Sequence, residues 1–555
     1  MQKCVALVIA MMMSIPLYAE GAMKRIELAG LGLVADGVTD DGPVIRRALS
    51  EAASHDGPAE IVFPSESTVF ISTGEESYAI RLDAVHDLTL SGHGTKVLLG
   101  PDVRFIEATS CERLVVTGFN LETEPLPMVE AKVVAVEPGG GELTARLVEP
   151  ERSHEMDGPL RIRGENRYFG MLWWPEKYSA QCRHYFITDM EPTKNAARTG
   201  LVRVTGEHGL PKHLIQKIRD GDMRITLPIR GIAHLAPPGA MVVLDRCSDV
   251  LMEDIEMWSA PWFGFQVFRN VGPMTFRRVN MRPKPGTARV SSIWRDGFHV
   301  KGNRGPLLFE DCILKHMNDD AFNISSHALQ VSEMVSPTVV RVRQVFPLQP
   351  MPVYPGNELL IVTPEGRRLD AGQVASVRVS QELPDLGHDA PTAPEWEITL
   401  EQPVSGLKTG CTLWDVEAAN GQTIIRRCKI IRTLRVQSPN VIIEDSEIIG
   451  LLWLNSELKE GPFASNAIIR RNILRQGIGN PQFAFVVNGW PGQNVPKTLP
   501  PARAFPLQGV QILDNRIYGD LRLEGVANAV VRGNRFYGGE MIVERSPGLK
   551  TDVRR

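Results

Sequence analysis

The sequence predicts an all-β chain, a right-handed parallel β-helix with two inserted small β-barrels, and three observations carry that expectation. Runs of the form apolar-apolar-polar-polar-small recur as LMEDI, TFRRV, LFEDC, IIRRC, IIEDS, IIRRN, ILDN and VVRGN. They end at Ile255, Val279, Cys312, Cys428, Ser446, Asn472, Asn515 and Asn534. Where no loop intervenes, the step is 24 residues from 255 to 279, 18 from 428 to 446, 26 from 446 to 472 and 19 from 515 to 534. Each run but the last precedes a second short strand with period-two alternation, namely GFQVF, GFHV, AFNI, TLRVQ, LLWLN, AFVVN and LRLEG. No such unit buries its apolar side alone, whereas stacked units do, and that defines a solenoid.

The elements follow in order. Residues 1–19 read as a secretory signal peptide, with an apolar run from Cys4 to Leu17 and cleavage near Ala19 or Ala22, so a secreted or periplasmic protein is expected. Within 23–125, LVADGVTDDGPVIRRALSEAA places Val44, Ile45, Ala48, Leu49 and Ala52 at helical spacing behind an Asp-rich start that should cap the helix. Such a helix would cover the open end of the β-helix, where an unpaired edge is a liability. The first coils follow, at LTLSG and LVVTGFNLE. Residues 126–245 form the first expected barrel (KVVAV, LTARLV, PLRIRG, MRITLP, MVVL), 246–325 the central coils, 326–421 the second barrel (VVRVRQVF, NELLIV, VASVRV, EWEITL) and 422–555 the last coils.

Composition agrees. The 555 residues are 43% hydrophobic and 6% aromatic with 49 Gly and 40 Pro, which suits a turn-rich solenoid. A formal net charge of −4 gives no footprint for nucleic acid. No run beyond the N-terminus is long and apolar enough for a membrane span. Cys111, Cys182, Cys247, Cys312, Cys411 and Cys428 fit no zinc spacing. Cys312 and Cys428 share one repeat position, which suits buried ladder thiols or, in an oxidising compartment, a disulfide.

One repeated motif points to chemistry. DGFHV at Asp296 to Val300 returns 24 residues later as DAFNI at Asp320 to Ile324, preceded by Asp319. Neighbouring coils lie about 4.8 Å apart, so Asp296 and Asp320 are expected side by side. Like charges that close raise at least one pKa, a cost without structural return but useful for an acid/base pair. Strand alternation sends Phe298, Val300, Phe322 and Ile324 inward. The outward ladder is then Gln266, His299, Asn323, Arg435 and Trp453, an exposed polar stripe on which a sugar can lie. His299, His316 and His327 match no ligand spacing, and no metal or cofactor is expected.

The stretch RPKPGTARVSSIWRDGFHVKGNRGPLLFEDCILKHMNDDAFNISSHAL resembles the core of glycoside hydrolase family 110, exo-acting α-galactosidases that cleave terminal α-1,3-linked galactose with inversion. GENRYFG near Gly164, RTLRVQSPNVIIEDSEI near Arg432 and the two interruptions extend the resemblance. It implies Asp296, Asp319 and Asp320 as catalytic aspartates and an oligo- or polysaccharide substrate, and Trp294, beside the first aspartate, is separately expected among the binding residues. By analogy with inverting β-helix hydrolases, Asp319 is the expected general acid and Asp296 with Asp320 the water-activating pair. The chain departs from the family at Asn318, at Ser325 and Ser326, and at Ile293, Trp294 and Arg295.

Three alternatives remain at this stage. Family 28 polygalacturonases share the Asp pair but require a Gly-His-Gly and an Arg-x-Lys where this chain has an insertion and TLRVQ. A polysaccharide lyase would draw its base from Arg295, Lys301 or Arg435, and a non-catalytic solenoid would bind glycans only. Arg282, Lys284 and Arg289 offer a basic rim for an acidic or sulfated glycan, and the barrels offer surface for oligomerisation.

Overall fold

The computed structural model describes residues 22–72, 77–156, 168–175, 180–210, 223–228, 239–344, 353–381, 395–455, 460–476, 483–488 and 507–553, with single residues between 211 and 218. The expected signal peptide, GENRYFG up to Arg167 and the PLRIRG strand lie outside the described residues, as does the side chain of Cys182.

The chain is a parallel β-helix. One long parallel sheet runs from Lys24–Glu27 to Lys550–Thr551, and a second runs from Tyr78–Asp83 to Met541–Glu544. Five strands of the second sheet, β1 (Phe265–Phe268), β2 (Phe298–Lys301), β3 (Phe322–His327), β4 (Leu434–Val436) and β5 (Leu452–Asn455), stack in register through the centre of the molecule. A two-residue strand, β6 (Glu460–Gly461), pairs antiparallel with the end of β3.

Inward residues form one continuous core. Phe265, Phe276, Phe298, Phe309 and Phe322 are fully buried and stack with ring centroids 4.8–5.7 Å apart. Each such side chain stabilises the fold by roughly 1.5–3 kcal/mol. Corners are set by left-handed residues such as Asp254, Arg278, Asp311, Arg427, Asp445 and Arg471. These pair between coils, with Arg278 Nε 2.6 Å from Asp254 and Arg471 Nε 2.7 Å from Asp445, which ties each strained corner to the next. Buried amide ladders run alongside. Asn270, Asn303 and Asn420, and separately Asn472, Asn515 and Asn534, each accept the main-chain N–H of the preceding coil.

The N-terminal helix spans Gly42–Ala53 with Ile45, Ala48 and Ala52 buried against the first coils. Its Asp-rich start does not cap it as expected. The Asp41 carboxylate instead accepts N–H bonds from Val34 and Ala35, tying down the preceding loop, while Asp40 accepts from Gly42. No helix among the described residues is long and apolar enough to cross a membrane.

Both interruptions are closed barrels. The first contains strands from Met128–Val136 to Arg224–Pro228, and the second strands from Leu329–Met334 to Thr412–Asp415. MVVL was expected as a barrel strand, but Val242–Asp245 pairs in parallel with Arg104–Thr109 and Phe265–Phe268 and is a rung of the solenoid. Alternation alone cannot separate these cases, because both a barrel strand and a buried rung are short and apolar.

Candidate active site

The register that builds the core also builds the site. Phe298 pairs with Phe322, so Asp296 and Asp320 occupy one rung of adjacent coils, and Gly297 N donates to Asp320 O at 2.9 Å. Gly297 is required here, since a Cβ would meet the Ala321 carbonyl oxygen at 2.7 Å. Carboxylate oxygens of Asp296, Asp319 and Asp320 all lie within 4.8 Å of one another. This set is the group of the described residues that could hold a metal ion. The charges of Arg295, Lys301, Arg432 and Arg435 already act on it.

The three carboxyls are not equivalent. Asp296 is 3% exposed, and burial pushes its carboxyl up to about 8, with the Asp319 charge adding to the rise and Arg295 and Lys301 opposing it. Its Oδ2 is 2.6 Å from Nδ1 of His299. Burial, followed by the Lys301 charge, holds His299 well below its usual value. Burial thus favours the neutral form of both partners in this contact. Burial also raises Asp320, helped by the charges of Asp319 and Asp296. Asp319 differs, because its Oδ2 is 3.2 Å from Nε of Arg295, an ion pair that favours the carboxylate. Arg295 rests over Trp262, 5.0 Å from the ring centroid, and Phe263 stacks on His299 at 4.3 Å. Arg432 Nε fixes the turn by donating to Asp319 O at 2.6 Å.

The outward ladder pairs as Gln266, His299, Asn323, Arg435 and Trp453. It is not an exposed stripe, however, since His299 is 7% and Asn323 6% exposed and the other three are half-buried. The cover on one side is β6. Its Glu460 Oε1 is 2.9 Å from the Lys301 ammonium, and Oε2 is 3.2 Å from Arg435 Nη1 and from Gln437 Nε2. Lys301, 1% exposed, also donates to Asn323 Oδ1 and Ser325 Oγ. Burial disfavours the Glu460 carboxylate, yet Lys301 and then Arg435 outweigh it and hold the carboxyl well below the usual range. One face of Trp453 is taken by Arg435, whose guanidinium carbon is 5.3 Å from the ring centroid.

Two expectations need correction. Trp294 is 3% exposed and packs in the core of the first barrel, so it anchors that barrel to the coils and offers no ring face to a sugar. The basic rim is not free either, since Arg282 is paired with Glu256, and Lys284 and Arg289 converge on Glu122. A cavity of about 230 Å³ between the first barrel and the coils, lined by Met128, Glu130, Trp258, Arg289 and Ser291 among others, does not include the aspartates. Sequence reasoning missed Glu460, Trp262 and Phe263. Glu460 lies in no repeat, whereas Phe263 was findable, because it precedes Phe265 by the same two residues as Asp296 precedes Phe298.

A rung of coupled carboxyls on a parallel β-helix thus defines the class of site. The chain is a divergent relative of the α-1,3-galactosidases of glycoside hydrolase family 110. It is 23% identical over 352 residues to alpha-1,3-galactosidase B of Bacteroides thetaiotaomicron, covering 58% of this chain and 54% of that protein. It is 22% identical over 337 residues to alpha-1,3-galactosidase A of the same organism, covering 59% and 54%. The chain spans about half the length of these relatives. No protein-family model matches it. Among solved structures, a family 28 exopolygalacturonase of Yersinia enterocolitica superposes with TM-score 0.40 at 9% identity over 95% of this chain and 78% of that one. The mannuronan C-5 epimerase AlgE4 A-module of Azotobacter vinelandii gives 0.37 at 11% over 95% and 98%.

Proposed function

We propose that the protein is an exo-acting glycoside hydrolase that removes terminal α-1,3-linked galactose, or a closely related sugar, with inversion. The observation that carries this reading is the pairing of a carboxyl raised to about 8 at Asp296 with the ion-paired carboxylate of Asp319 in one cluster. Glycoside hydrolysis requires one protonated and one ionised carboxyl at the scissile bond. Packing desolvated carboxyls together lowers stability, and sugar binding alone does not call for it. The names of the relatives support the linkage and the sugar.

These environments reassign the roles expected from analogy. Asp296, protonated at neutral pH, is the general acid at the leaving oxygen. Asp319, held ionised by Arg295, is the base that takes a proton from the attacking water, with Asp320 holding that water from the next position. One oxygen from each carboxyl lies within 4.8 Å of the others, closer than the roughly 6.5–9.5 Å usual between an inverting acid and its base, so the separation weighs against inversion and the case for it rests on the resemblance to family 110. Exo action rests on the resemblance to family 110, and β6 covers one side of the ladder.

Each basic residue that a lyase would use is in an ion pair, Arg295 with Asp319 and Lys301 and Arg435 with Glu460, which weighs against that alternative. Proton NMR of the first sugar released from an aryl α-galactoside tests the stereochemistry. The β-anomer is expected first, and the α-anomer would overturn inversion.

A further inference from the structure

We propose that Cys111 with Cys247, and Cys312 with Cys428, are two disulfide-forming sites that staple together the coils on either side of each inserted barrel, closed by exchange with a small-molecule disulfide such as glutathione disulfide. The pairs stand in equivalent places. Cys111 and Cys247 bracket the first barrel, Met128–Pro228, and Cys312 and Cys428 bracket the second, Leu329–Asp415. Insertion separates each pair along the chain, and the coil register brings it back together. Glu112 pairs in parallel with Ser248, whose N–H donates to Cys111 O at 2.9 Å. Ile313 pairs with Lys429, whose N–H donates to Cys312 O at 2.9 Å.

In-register residues on parallel neighbours are about 4.8 Å apart. That lies inside the roughly 4.4–6.8 Å between Cα atoms that a disulfide bridges. In both pairs the later thiol leans toward its partner's coil, with Cys247 Sγ donating to Ala108 O at 3.4 Å and Cys428 Sγ to Phe309 O at 3.6 Å. All four residues are at most 2% exposed and none is bridged in the structure. The two ladders continue alike. Cys247 N–H donates to Asn270 Oδ1 and Cys428 N–H to Ser446 Oγ, so a thiol pair occupies the position where the following steps use polar rungs. The second junction also keeps the amide link from Asn303 to Asn420, to which a staple would add.

The chemistry balances with the external disulfide as oxidant. One cysteine thiolate attacks it, forming a mixed disulfide and releasing one reduced thiol. The partner thiolate then displaces the second, so two S–H bonds are lost, one protein S–S bond forms and the reagent leaves as two thiols. A cross-link over a loop as long as a whole barrel constrains the unfolded chain strongly, which is where a staple stabilises most.

The test uses the full chain, unfolded and refolded in glutathione redox buffer, alkylated under denaturing conditions and digested for mass spectrometry. Expected are peptides linking Cys111 to Cys247 and Cys312 to Cys428, with Cys411 from the second barrel's core alkylated. Thermal unfolding should shift upward by several degrees, revert with dithiothreitol and not shift in a Cys111→Ser/Cys312→Ser variant. Alkylation of all four cysteines in protein that has regained its native circular dichroism, or linkage to other partners, would overturn the proposal. If the chain does not refold, native protein held in the same buffer just below its thermal midpoint is scored identically, and four unlinked thiols there overturn it too.

Discussion

Nδ1 of His299 lies 2.6 Å from Oδ2 of Asp296, both side chains are almost wholly buried, and one proton serves the pair. The proton is placed by the surroundings, because burial raises the carboxyl to about 8 and depresses the imidazole. Asp296 therefore binds more protons folded than unfolded between its ordinary value of 3.8 and about 8, so its contribution to stability falls as pH rises across that window.

Asp296→Asn should accordingly separate stability from activity. Turnover is expected to fall by about 10²–10⁴-fold, the usual worth of a general acid. Thermal midpoints at pH 7 to 9 should rise, because the amide carries no charge to bury. A midpoint that falls with pH as steeply as in the wild type would show that Asp296 is not the titrating group.

The Arg295–Asp319 pair sets the acidic side of the rate profile. Removing the guanidinium in Arg295→Met should make Asp319 harder to ionise and move the acid limb of kcat/KM to higher pH, and the alkaline limb, which belongs to Asp296, should move up as well because Arg295 also opposes the rise of that carboxyl. An acid limb that does not move would assign the ionised carboxylate elsewhere.

Glu460 clasps Lys301 and Arg435 beneath the site. Glu460→Gln leaves the buried Lys301 and the half-buried Arg435 without their carboxylate, and about 3–5 kcal/mol of stability should be lost by denaturant titration. KM should rise more than kcat falls, since Arg435 and Asn323 lose their positioning while the aspartates keep theirs. Equal loss in both would place Glu460 in the chemical step.

Trp294 and Trp453 should behave oppositely. Trp294→Ala empties part of the first barrel's core and should cost about 3–5 kcal/mol. Trp453→Ala, on the half-buried ladder, should weaken sugar binding with little effect on denaturant midpoints. Tighter dependence of sugar affinity on Trp294 would reverse that assignment.

The coil register was legible because side-chain alternation and repeat length together fix which residue stacks on which, and the motif pair DGFHV and DAFNI needed nothing further. The ladder from Gln266 to Trp453 followed from the same rule. Cover was not legible. Whether an outward residue meets solvent depends on what lies over it, and β6 and the first barrel come from segments with no place in the repeat. This is why Trp294 and the buried polarity of His299 and Asn323 could not be read in advance. Proton placement was lost for the same reason, since it depends on burial and on Arg295 lying against Asp319.

The most direct measurement is galactose release from an α-1,3-linked galactosyl disaccharide by the wild type and by Asp296→Asn, Asp319→Asn and Asp320→Asn, each verified as folded by circular dichroism. The account predicts release by the wild type and loss of at least about 10²-fold in every variant. Undiminished release by any one of the three, or disaccharide binding by the wild type with no release at all, would contradict it.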